Sequence, residues 1–176
     1  GSAGVSLTVY YVDGSERTID PTEPFYLIRS QIVPGSIFDP EVDKEVSTIG
    51  TKVKIKADWT GPVQRFSVSG SLQGYVDDEP MGDPGTLNNV PKDLPKNEWT
   101  EVHHLVFSAS ELEAMSPESG THNARVEADV TLTIFFEDGE KSTKEGQGIA
   151  KWTYEVVGGD PSKSEIILFE VQTDVE

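Results

Sequence analysis

"VEADVTLTIFF", residues 126–136, alternates between two kinds of side chain. Val126, Ala128, Val130, Leu132, Ile134 and Phe136 fall on one face of an extended chain, and Glu127, Asp129, Thr131 and Thr133 fall on the other. Successive side chains of a strand point to opposite sides, so the stretch predicts a strand with one buried and one wet face. The pattern recurs along the chain. Val53, Ile55, Ala57 and Trp59 alternate with Lys52, Lys54, Lys56 and Asp58. Ala150, Trp152, Tyr154 and Val156 alternate with Lys151, Thr153 and Glu155, and residues 66–76 set Phe66, Val68, Leu72 and Val76 against Ser67, Ser69, Ser71 and Gln73. Weaker strand patterns cover 5–12, 25–33, 101–109 and 165–175.

Turn chemistry separates these runs. Asp138-Gly139 and Asp13-Gly14 are hairpin signals, and Thr60-Gly61-Pro62 divides two strands. Gly146 and Gly148 mark a bend such as a bulge. Ser110 with Glu113 forms a capping box opening "ELEAM", and Pro117 and Gly120 end it, which predicts one short helix near 110–116. The expected fold is all-β: an antiparallel β-sandwich of eight to ten strands, with a barrel as the alternative. Residues 3–40 read as N-terminal strands packed on a main domain, 41–176. The expected core joins Val53, Ile55, Trp59, Val126, Val130, Leu132, Ile134, Trp152 and Tyr154.

The passage "LVFSASELEAMSPESGTHNARVEADVTL" (105–132) resembles the E strand, E–F corner and F strand of an immunoglobulin-like or fibronectin-type module. His122 stands where such modules often carry a tyrosine, and Trp59 resembles their core tryptophan. The chain departs from that pattern in lacking a cysteine pair and the corner tyrosine, and in its extra N-terminal residues. The resemblance implies a fold, not an activity.

Composition narrows the function classes. The 176 residues suffice for one well-packed domain burying roughly 70% of its unfolded surface, without a disulfide or metal staple. Fourteen basic against 31 acidic residues give a net charge of −17, which repels nucleic acid and anionic membranes. No apolar run approaches the roughly 20 residues of a membrane span. Gly1-Ser2 reads as a cloning scar, so an excised domain is expected, and the absence of cysteine leaves the redox compartment open.

Little in the sequence points to chemistry. His103 and His104 are adjacent in a strand and face opposite ways, and His122 is distant, so no transition-metal set forms. No Gly-x-Ser-x-Gly elbow or glycine-rich phosphate loop is present. The expectation is no catalytic residue, no cofactor and no enzyme activity. Trp152 and Tyr154 share a face with Ala150 and Val156 and read as core rather than as a sugar platform. Phe135 is an apolar side chain on the wet face of its strand, and it is the candidate interaction residue.

The run "VDDEPMGDPG" (76–85) gathers Asp77, Asp78, Glu79 and Asp83, weak Ca²⁺ candidates with Asn88 or Asn89. Calcium takes about six to eight oxygens, but the spacing matches no EF-hand loop. Pro80, Gly82, Pro84 and Gly85 suit a solvated connection whose charges could be removed without consequence. The functional expectation is a non-enzymatic extracellular or envelope β-sandwich, a structural or protein-interaction module of a surface assembly. It would meet a protein partner, or itself, through edge strands, with "SEIILFEVQTDVE" (164–176) the leading candidate. The alternative is a carbohydrate-binding or hydrolase-accessory domain. It needs at least two of Trp99, Trp152, Tyr75 and Phe135 in an open groove beside acids.

Overall fold

The computed structural model describes residues 2–29, 36–108, 111–112, 118–158 and 171–172. The stretch 126–136 lies in β10 (Gly120–Phe136), the middle of the longest ladder. On one side it pairs with β11 (Lys141–Val157) from Gly120↔Val156 to Phe135↔Lys141 with no register shift. The Asp138-Gly139 turn joins the two: Gly139 takes φ 89°, and Asp138 Oδ1 accepts the Glu140 amide at 2.9 Å. On its other side β10 pairs with β6 (Val63–Val76). The far edge of β6 carries β7 (Glu79–Pro80) and β8 (Gly85–Asn89).

The second group of strands centres on β5 (Lys44–Lys56), which pairs with β1 (Ser2–Tyr11) and with β9 (Thr100–Ser108). β2 (Glu16–Ile19) extends it beyond β1. Two short strands join the groups. β4 (Ile37–Asp39) pairs with β5 and with β3 (Phe25–Arg29), and β3 runs parallel to the end of β11. Among the described residues the result is one mixed sheet of 11 strands, in which only β3–β11 is parallel. Most of the predicted helix lies outside the described residues, with Glu111 and Leu112 helical. The predicted strand at 165–175 also lies outside them, apart from 171–172.

One core lies beneath both groups: Val9 and Val53 from the first, and Val68, Leu72 and Val76 from the second, are at most 1% exposed. The expected core residues Val53, Ile55, Val126, Val130, Leu132, Ile134, Trp152 and Tyr154 are all buried. Trp59 is the exception. β5 ends at Lys56, so Trp59 sits in the loop beyond it, half-buried with its ring edge on Phe66. Gly148 also departs from expectation, since the β10–β11 register is unbroken there. A Cβ at Gly148 would lie 3.1 Å from the Ala3 carbonyl oxygen. The missing side chain lets β1 cross close over β11, which serves packing and not a bulge.

Candidate functional site

The acidic run is a built turn, not a free connection. After β6 the chain reverses through Asp77 (φ 50°) and Asp78 (φ 65°), a left-handed conformation that aspartate tolerates better than most residues. Asp77 Oδ1 accepts the Asn123 amide at 2.9 Å, and Oδ2 meets His122 Nδ1 at 2.6 Å. Asp78 Oδ1 accepts from Arg125 Nη1 at 2.7 Å. Glu79 opens β7 and Asp83 stands exposed. The Asp77 and Asp78 carboxylates are thus directed to separate partners on β10. Among the described residues, no three His, Cys, Asp or Glu side chains group so as to hold a metal ion.

Burial opposes charge on both members of the Asp77–His122 pair, but the pairing prevails. The bonds from His122 and Asn123 hold the Asp77 carboxyl below the usual range. Asp77 and the Glu118 carbonyl raise His122 above its usual value. His122 is buried, with Nε2 2.8 Å from the Glu118 carbonyl and its ring 5.4 Å from that of Tyr154. His103 and His104 point to opposite faces. His103 is pushed down by burial and then by the charge of its neighbour. His104 faces out to bond the Tyr10 hydroxyl at 2.9 Å.

The aromatic side chains differ in their cover. Phe135 is half-buried, and the Arg65 guanidinium lies 3.7 Å from its ring centre. Arg125 covers Tyr75 in the same way at 4.2 Å. Trp152 is 2% exposed, whereas Trp99 is 51% exposed, with its six-membered ring over Gly4.

Three features escaped sequence reasoning. The first is a polar cluster at the β1–β2–β4 end, around Asp39, which is 1% exposed. Asp39 Oδ2 accepts from the Tyr11 hydroxyl at 2.6 Å and from Arg17, while its Oδ1 accepts the Glu41 amide at 3.0 Å. Burial, and then the Asp39 bond, push the Tyr11 phenol up to about 12. A carboxylate buried with this many donors is a structural anchor.

The second feature is an apolar row on the outer face of three strands. Val157 of β11 lies in register with Ile28 of β3, and Ile28 with Phe38 of β4. Val157 is 45% and Ile28 36% exposed, Tyr26 on the same face is 44% exposed, and Phe38 is half-buried. Alternation supplies these outward positions, and the register that aligns them is set by the parallel pair.

The third feature is a cleft of about 470 Å³ between the 57–62 loop and the β10–β11 hairpin. Leu132 and Ile134 floor it, Trp59 and Phe136 form walls, and Asp58, Asp138 and Glu140 line it. The Pro62 carbonyl accepts the Glu137 amide at 3.1 Å and ties loop to hairpin. No family model matches the chain, and no curated protein is detectably similar to it. No helix among the described residues is long and apolar enough to cross a membrane.

Proposed function

We propose that this chain is a non-enzymatic, immunoglobulin-like β-sandwich module of an extracellular or envelope assembly, and that it docks on a neighbouring copy. The observation that carries the reading is the row Val157–Ile28–Phe38 with Tyr26, four apolar side chains on one outer face. Contiguous exposed apolar surface of this kind marks a protein interface more often than a small-molecule site. Phe135 is the second contact candidate, its ring under Arg65 at the end of a polar face. Its stacked guanidinium gives a partner a flat, weakly hydrated surface.

The immunoglobulin-like assignment is supported by His122. Its bond to the Glu118 carbonyl, four residues upstream, does what the corner tyrosine hydroxyl does in that fold. The crossing of β1 over β11 at Gly148 supports two packed layers.

A photo-reactive side chain at position 157 tests the docking. It is expected to cross-link copies of the chain, while the same group at Lys52, outward on β5, gives none. Equal yields at both positions would refute docking through the row. A second reading, a carbohydrate-binding accessory domain, is favoured by Trp99 alone, whose exposed indole offers a stacking surface. Trp99→Ala would then abolish retention on an immobilised polysaccharide, and no retention by the parent would dismiss that reading.

A further inference from the structure

We propose that the cleft between the 57–62 loop and the β10–β11 hairpin receives a lysine or arginine side chain of a protein partner. This inference rests on the reading of the chain as an interaction module and names the chemistry of a second contact. At about 470 Å³ the cleft falls within the size range of ligand sites. Its walls are preformed. Gly61 takes φ 97° where the loop turns, the Ala57 carbonyl accepts the Asn97 amide at 2.7 Å, and the Phe136 amide bonds the Glu140 carbonyl at 2.8 Å.

The lining suits an amphipathic cation. Leu132 and Ile134 at the floor and Phe136 at the wall would hold an aliphatic stem. Asp58, Asp138 and Glu140 line the same space, and no side-chain ion pair involves them among the described residues. Three carboxylates against the single ammonium of Lys144 leave the lining negative. A cationic head there meets charge complementarity that a neutral ligand does not exploit.

Trp59 lines the same space, and the ammonium of Lys96, which is outside the cleft lining, stands 5.5 Å from its indole centre. A lysine or arginine head in the cleft would find the same ring beside the carboxylates. A half-buried aromatic ring beside carboxylates favours a cation over a neutral sugar of similar size.

The test is a titration of the isotope-labelled chain with Nα-acetyl-lysine methylamide, followed by amide and indole NMR signals. Shifts are expected at the Trp59 indole and in residues 57–62 and 137–142. The Asp138→Asn, Glu140→Gln variant, whose replaced groups are exposed and outside the core, should bind roughly fivefold more weakly. Raising salt from about 0.05 to about 0.5 M should also weaken binding. Shifts elsewhere, unchanged affinity in the variant, or tighter binding of a neutral oligosaccharide would overturn the proposal. If the lysine probe fails while cross-linking at position 157 persists, this site falls and the module reading stands.

Discussion

Tyr11→Phe is the most informative single substitution for the fold. It deletes the hydroxyl that donates to Asp39 at 2.6 Å and accepts from Arg17 Nε at 3.1 Å. Asp39 keeps its bonds to Arg17 and to the Glu41 amide, so the loss is partial. A hydrogen bond to a charged group contributes about 1.5–3 kcal/mol, and the lower half of that range is expected here. For a chain of this length that lowers Tm by about 4–8 °C. The pH dependence separates the loss of the buried, hydrogen-bonded hydroxyl from a general packing defect. Burial and Asp39 raise the Tyr11 phenol from 10.0 to about 12. The folded state therefore holds the proton more tightly, and the contribution is complete below about pH 10 and lost as pH rises through about 12. Halfway, near pH 11, about half of it has gone. Urea denaturation of parent and variant, followed by tryptophan fluorescence at about pH 8 and about pH 11, should show their stability gap shrinking by that amount. Other titrating groups are common to both chains and cancel in the difference. A gap of equal size at both pH values would refute the buried Tyr11–Asp39 bond.

Other outcomes follow from the same geometry. Asp77→Asn should cost about 1 kcal/mol, a modest figure because the carboxylate is 43% exposed. Raised His122 contributes below its unfolded pKa near 6.5 and lowered Asp77 above its own near 3.9. The loss should therefore be larger at about pH 5.5 than at about pH 8.5, read by thermal melts. Gly148→Val places a side chain against the Ala3 carbonyl and should destabilise by about 1–3 kcal/mol in the same melts. Melts in excess EDTA and in millimolar Ca²⁺ should coincide within about a degree. Binding at a hundredfold over Kd would instead add about 2.7 kcal/mol.

β6 and β10 were legible because a period of two, sustained over about ten residues, has few other solutions, while for β5 and β11 only the alternating ends near 52–56 and 150–156 carried that signal. Trp59 misled because Ala57 and Trp59 continue the alternation one step past the strand end. The short strands β2, β4, β7 and β8 offer two to five residues each, too few for a period. In β4 the inward position belongs to Asp39, a carboxylate where the pattern asks for an apolar side chain. Its partners lie on β1 and β2, so only the folded register makes it a reasonable core residue. The acidic turn failed for the same reason. Asp77 and Asp78 are answered by His122 and Arg125 from β10, far along the chain. The cleft arises where a loop and a hairpin tip approach, which no local pattern encodes.

The docking row tests the account most directly, through sedimentation velocity of the parent and of Ile28→Glu over a wide concentration range. Ile28 is outward-facing, so the variant should fold and melt close to the parent. The parent should associate as concentration rises, while the variant stays monomeric. A parent that remains monomeric throughout, or a variant that associates equally well, would contradict the account.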